Sequence, residues 1–215
     1  MQFKVHRFFE SGWEQIRLED STNGLSATII PAAGGILNAF SLNKDGHSIQ
    51  VIDGYRDAEE WKSLHTQGFR SAKLSPFVCR ILNSRYSWKG KEYRLEKFLL
   101  NGSALHGLLF DAPFEVIENA EGNHYAESEL KYVYHGTDPG YPFAYDCYIR
   151  YRLEDNNTLS VVTAIHNRSD IAIPVADGWH PYFTFGGPVD DLLLTIHSHE
   201  ELEYNELLIP TGKLI

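Results

Sequence analysis

FAYDCYIRYRLEDNNTLSVVTAIHN, residues 143–167, is the stretch that decides the fold. From Phe143 to Leu153, and again from Thr158 to Asn167, apolar and polar residues alternate. That period of two lays one face of a β-strand on a core and leaves the other in water. The break between them, Asp155-Asn156-Asn157, consists of residues that tolerate the backbone of a tight turn. The spacing predicts a long antiparallel hairpin.

Outward from this hairpin the same signature recurs at short intervals. Strands are expected at Phe3–Phe9, Trp13–Leu18, Leu25–Ile30, Ile36–Leu42 and Ser48–Ile52, with turn chemistry at Ser11-Gly12, Asn23-Gly24, Gly34-Gly35 and Asp45-Gly46. Ile81–Trp88 and Glu92–Leu95 flank Lys89-Gly90-Lys91, and Phe114–Asn119 and Tyr125–His135 flank Glu121-Gly122-Asn123. Two more strands are expected at Ile171–Val175 and Leu192–His197. Arg56–His65 (RDAEEWKSLH) lacks alternation and carries helix formers, so it is the one short helix expected. So many short strands between polar turns predict an all-β chain, a large antiparallel sandwich or barrel.

The 215 residues suffice for one domain with a sizeable core, expected over 1–215. Aromatic residues make up 13%, which suits sheets and sugar-binding surfaces. With 29 acidic against 19 basic side chains the net charge is −10, which disfavours nucleic acid or an anionic membrane as partner and fits a neutral ligand. Cys79 and Cys147 lie far apart without CxxC spacing, so neither a zinc site nor a disulfide framework is legible. The first residues lack the apolar core of a signal peptide, and no run reaches membrane-spanning length. The expectation is a cytoplasmic protein with reduced thiols. Oligomeric state is not legible.

No phosphate-cradling glycine loop and no GxSxG nucleophile elbow occurs, so the ten histidines are the better lead. In PVADGWHPYFTF, residues 174–185, His180 sits among Trp179, Tyr182, Phe183 and Phe185, with Pro181 stiffening the backbone beside it. Aromatic faces stack on the C–H faces of a pyranose, and an imidazole gives or takes a proton near neutrality. The bland alternative is a core histidine at a strand end. His106, in Ala104-Leu105-His106-Gly107-Leu108, is either a loop histidine or one that lets a ligand approach its backbone. Arg80, after Phe77-Val78-Cys79, either snorkels from a strand end or donates to ligand oxygens. His197 and His199 with Glu203 have the spacing of a cupin-type metal set, against which stands a solvated strand end.

Taken together, Ser75-Pro76-Phe77-Val78-Cys79-Arg80-Ile81, Gly90-Lys91-Glu92-Tyr93-Arg94-Leu95, Leu105-His106-Gly107-Leu108 and Trp179-His180-Pro181-Tyr182-Phe183 resemble the ordered motifs of the aldose 1-epimerase (galactose mutarotase) family. Pro210-Thr211-Gly212 is similar to a turn that follows the catalytic histidine there. The sequence departs from the pattern at Cys79, Pro76 and Leu108, and Gly-Trp-His-Pro-Tyr-Phe is closer to the branches that include hexose-6-phosphate epimerases. The resemblance implies a galactose mutarotase-like supersandwich that binds a hexose and interconverts its anomers by proton transfer alone, without metal or organic cofactor. It assigns His180 as the acid on the ring oxygen and Arg80 and His106 as donors to the sugar. The family's glutamate base lies beyond the matching residues. Asp177, three residues before His180, is expected on the opposite strand face, so the chain is expected to lack C-terminal strands and to turn over poorly. Alternatives are a hexose-6-phosphate 1-epimerase, with Arg70, Lys73 and Arg85 as mouth cations, and a non-catalytic carbohydrate-binding protein.

Overall fold

The computed structural model describes residues 1–215. β1 (Phe3–Glu10), β2 (Trp13–Asp20), β3 (Ser26–Ile30), β4 (Ile36–Lys44) and β5 (His47–Gln50) form an antiparallel meander in sequence order. α1 (Ala58–Gly68) follows, then short strands β6 (Ala72–Leu74), β7 (Arg80–Ile81), β8 (Arg85–Trp88), β9 (Lys91–Arg94), β10 (Leu99–Leu100) and β11 (Ser103–Leu105). A second meander contains β12 (Glu115–Glu121), β13 (Tyr125–Tyr134), β14 (Tyr145–Glu154) and β15 (Thr158–Asn167). β16 (Gly178–His180), β17 (Leu202–Tyr204) and β18 (Pro210–Leu214) complete the chain.

The predicted hairpin is β14–β15, paired without a slip from Tyr145↔Asn167 to Glu154↔Thr158. Asn156 and Asn157 take φ of 64° and 56° at its turn, the left-handed conformation their short side chains tolerate. Alternation puts Tyr145, Cys147, Ile149, Tyr151 and Leu153 on one face, where they meet Ile16, Leu18, Ala27, Ile29 and Leu37 of the first meander in a common core. Burying each large aliphatic side chain contributes about 1.5–3 kcal/mol. Cross-sheet polar contacts fix the packing: the Tyr151 hydroxyl donates to the Gly35 carbonyl at 2.7 Å, and the Phe3 amide donates to the Gly122 carbonyl at 3.0 Å. This is an antiparallel β-sandwich with one α-helix, as expected.

The helix begins two residues later than predicted, because Asp57 caps it: its Oδ1 accepts from the Glu60 amide at 2.8 Å. It ends at Phe69, whose φ is 55° and whose amide donates to the His65 carbonyl. Three expected strands do not form as drawn. Ile81–Trp88 is interrupted by a 3₁₀ turn at Leu82–Ser84, where Asn83 and Ser84 have φ of 52° and 58°. Ile171–Val175 runs irregularly, its carbonyls taken by side chains. Asn167 Nδ2 donates to Ile171 O, Trp88 Nε1 to Ala172 O and the Tyr141 hydroxyl to Pro174 O. Leu192–His197 has no neighbour to pair with and is exposed, so alternation alone does not make it a strand. At the C-terminus β18 pairs locally with β17. No helix is long and apolar enough to cross a membrane.

Candidate active site

β16 pairs antiparallel with β6, placing Gly178 opposite Leu74, Trp179 opposite Lys73 and His180 opposite Ala72. Opposed residues share a face and neighbours alternate, so Lys73 and Trp179 face one way and His180 the other. The backbone around His180 is held on both sides. The Ser71 amide donates to His180 O at 2.8 Å, the Asp53 amide to Tyr182 O at 2.8 Å, and the Thr184 amide to Val51 O at 2.8 Å.

Arg80 and His106 arrive on a second ladder. β11 pairs with β7 so that Leu105 lies opposite Arg80, and the His106 amide donates to Cys79 O at 3.0 Å. His106 itself has φ of 60°. The expectation that Gly107 admits a ligand to the backbone is corrected here. A Cβ at Gly107, whose φ is +82°, would lie 2.4 Å from the Ser75 carbonyl oxygen, so the glycine serves an approach of chain to chain. The Leu108 amide donates to that same oxygen.

These two ladders bring the three predicted residues together. The His106 and His180 rings meet edge to face, with centroids 5.0 Å apart and planes at 77°. Phe69, the cap of α1, stands against the other side of His106 at 4.7 Å, and Tyr182 stacks on His180 at 5.5 Å. Arg80, His106 and His180 are each half-buried, so the rings are reached by solvent without being free in it. Arg80 Nη1 donates to the Leu207 carbonyl, 3.1 Å away, in the turn between β17 and β18.

Burial, then the charges of His180 and Arg80, push the His106 imidazole down to about 4. It is therefore neutral near pH 7, a donor on one nitrogen and an acceptor on the other. Its Nδ1 is buried with no hydrogen-bond partner in the protein.

Sequence reasoning missed Phe69, whose only signal was an aromatic after the helix, and it placed Lys73 wrongly. Lys73 is not a mouth cation but lies 5% exposed behind β16, where its ammonium is bound to the Asp177 carboxylate and, at 2.7 Å, to Thr163 Oγ1. Asp177 thus turns away from the His180 face, as its offset of three implies. Arg70 is likewise engaged, donating to Gly54 O at 2.8 Å and Glu60 Oε1 at 3.2 Å. The cupin-type set does not form: His197 and His199 lie on exposed irregular chain, and no three His, Cys, Asp or Glu side chains are grouped so as to hold a metal ion. A separate apolar groove of about 470 Å³, with Phe77, Ile81, Tyr86, Trp88 and Tyr141 among its walls, includes neither histidine.

The fold is shared with solved proteins. The chain matches a galactose mutarotase-like protein from Clostridium acetobutylicum with a TM-score of 0.85 at 19% identity, over 99% of this chain and 64% of that one. It matches galactose 1-epimerase from Lactobacillus acidophilus with a TM-score of 0.79 at 18% identity, over 99% of this chain and 62% of that one. Among curated sequences, the uncharacterized protein YphB of Escherichia coli (strain K12) is 25% identical over 111 residues, 51% of this chain and 35% of YphB. The chain thus spans about a third of that relative and less than two thirds of each of these two structures. A sequence model of the family described as aldose 1-epimerase matches residues 14–215. The chain belongs to the aldose 1-epimerase family.

Proposed function

We propose that this chain acts on the anomeric centre of a hexose, opening and reclosing the hemiacetal so that α and β anomers interconvert. The observation that carries this reading is the edge-to-face pair of His106 and His180 on two separate ladders, with Arg80 near enough to His106 for its charge to act on that ring. In the opening step a base removes the O1 proton, the C1–O5 bond breaks with its electrons going to O5, and an acid protonates O5. Rotation about C1–C2 and the reverse transfers from the other face complete the inversion. Only protons move, so no electron acceptor enters the balance.

His180 is the acid on O5. His106 is unsuited to that task, because an imidazole pushed down to about 4 carries no spare proton near pH 7. It instead donates or accepts a hydrogen bond, and a sugar hydroxyl would satisfy its orphaned Nδ1. Arg80 uses one N–H on Leu207 O and keeps others for sugar oxygens.

The base at O1 is not Asp177, whose carboxylate is held by Lys73. A positioned proton-transfer group is worth roughly 10²–10⁴ in rate, so turnover short by about that factor is expected of these residues alone. The same observation favours a second reading, a carbohydrate-binding protein that holds a hexose without turning it over. A sugar phosphate has less support, since the charges of Arg70 and Lys73 are already met by carboxylates.

Polarimetry of freshly dissolved α-glucose and α-galactose tests the proposal, with calorimetric titration of the same sugars alongside. Acceleration over the spontaneous rate that His180→Ala abolishes is the expected result. Binding without acceleration selects the second reading, and acceleration that survives His180→Ala removes His180 from the mechanism.

A further inference from the structure

Lys73 is the one lysine among the buried residues, and its chain neighbours Ala72 and Leu74 are buried and apolar. An ammonium is costly to take out of water, and a buried ion pair commonly offers no more stability than apolar side chains of the same volume. What it supplies in exchange is direction. The three N–H groups of Lys73 reach the Asp177 carboxylate, Thr163 Oγ1 at 2.7 Å and Gly178 O at 3.4 Å. Those acceptors lie on β15 and on the chain entering β16, so one side chain of β6 ties three segments together.

The tie matters because the strand it holds is so slight. Only three residue pairs join β16 to β6, and one of them contains Gly178, which has no side chain to pack. A Cβ at Gly178 would lie 2.8 Å from Val78 Cγ1, so this backbone sits close against its neighbours. His180 projects from the opposite face of the same short strand, and any roll of the strand carries its ring away from His106.

We infer that Lys73, with Asp177 and Thr163, is a positioning device that clamps β16 from behind and sets the His180 ring against His106. Its catalytic consequence rests on the reading of His180 as the acid. The geometric claim does not, and it is open to a measurement that needs no turnover.

The test uses the full chain and compares Lys73→Met, Thr163→Val and Thr163→Ser with the original protein by NMR. The readout is the cross-relaxation between the ring protons of His106 and His180, assigned through single histidine substitutions. Lys73→Met is expected to abolish that signal and Thr163→Val to weaken it, while Thr163→Ser, which keeps the hydroxyl, retains it. In mutarotation assays kcat should fall by roughly tenfold to a hundredfold in Lys73→Met with KM within about twofold, the pattern of a misplaced catalytic group. Should Lys73→Met fail to fold, the Thr163 pair carries the test. Inter-ring signals unchanged in the folded variants would overturn the inference. An original chain that shows the inter-ring signal but no mutarotation would overturn the proposed function and leave the clamp standing.

Discussion

The imidazole of His106 stands edge-on to that of His180, 5.0 Å between centroids, and the two rings differ in what surrounds them. Phe69 closes off His106, whereas Tyr182, itself 38% exposed, stacks on His180. On the proposed reading the first ring binds the sugar and the second delivers the proton. His180→Ala is accordingly expected to lower kcat by roughly 10²–10³, and His106→Asn to raise KM by about tenfold with a smaller loss in kcat. Initial rates of anomer exchange measured across sugar concentration separate the two, and the reverse pattern would exchange their roles.

The depressed His106 imidazole has a consequence for stability. Its folded value of about 4 lies below the ordinary 6.5, so between those values the unfolded chain binds the extra proton. This contribution is fully present above about pH 6.5 and is lost as pH falls toward about 4. The loss has a limiting slope of about 1.4 kcal/mol per pH unit. Urea unfolding of the original protein and His106→Asn at several pH values in that window checks it. The variant should show the shallower dependence.

Arg80 is expected to contribute to affinity through the fork of its guanidinium, which a lysine does not reproduce. Arg80→Lys should weaken hexose binding by about tenfold, read by calorimetric titration. Equal affinity in the two proteins would remove Arg80 from the sugar site.

Gly107 offers a test that concerns architecture alone. An added Cβ would meet the Ser75 carbonyl at 2.4 Å in a backbone with φ of +82°, whereas at Gly90, with φ of +77°, nothing lies within 4 Å. Gly107→Ala should therefore destabilise by roughly 2–4 kcal/mol and Gly90→Ala by only about 1 kcal/mol. Denaturation midpoints decide the comparison, and equal costs would mean that the β11 end relaxes away from Ser75.

The hairpins were legible because alternation and turn residues are local: Asp45-Gly46 and Lys89-Gly90 lie at the turns where their chemistry puts them, with positive φ at all four residues. The short ladders were not. Ala72–Leu74 is too brief for a period to register, and its partner lies more than a hundred residues on. The Lys73–Asp177 pair is separated by 104 positions, so nothing near Lys73 tells its ammonium apart from one at a cleft mouth. Ile171–Val175 looked like a strand because residue types do not reveal that Tyr141, Trp88 and Asn167 will claim its carbonyls. For the site, Arg80, His106 and His180 were singled out as separate residues, and their meeting was suggested by family resemblance. No spacing within the chain predicts that two ladders far apart in sequence deliver two rings to one place.

The hydrogen bond from Arg80 to the Leu207 carbonyl gives the terminal hairpin a stake in what the guanidinium does next. β17 and β18 pair only with each other, so that contact is one of few restraints on where their turn rests. A saccharide held by the remaining N–H groups would fix the guanidinium and, through it, the Leu207 carbonyl. Amide exchange around Asn205–Leu208 then becomes a gauge of occupancy, expected to slow when a hexose binds.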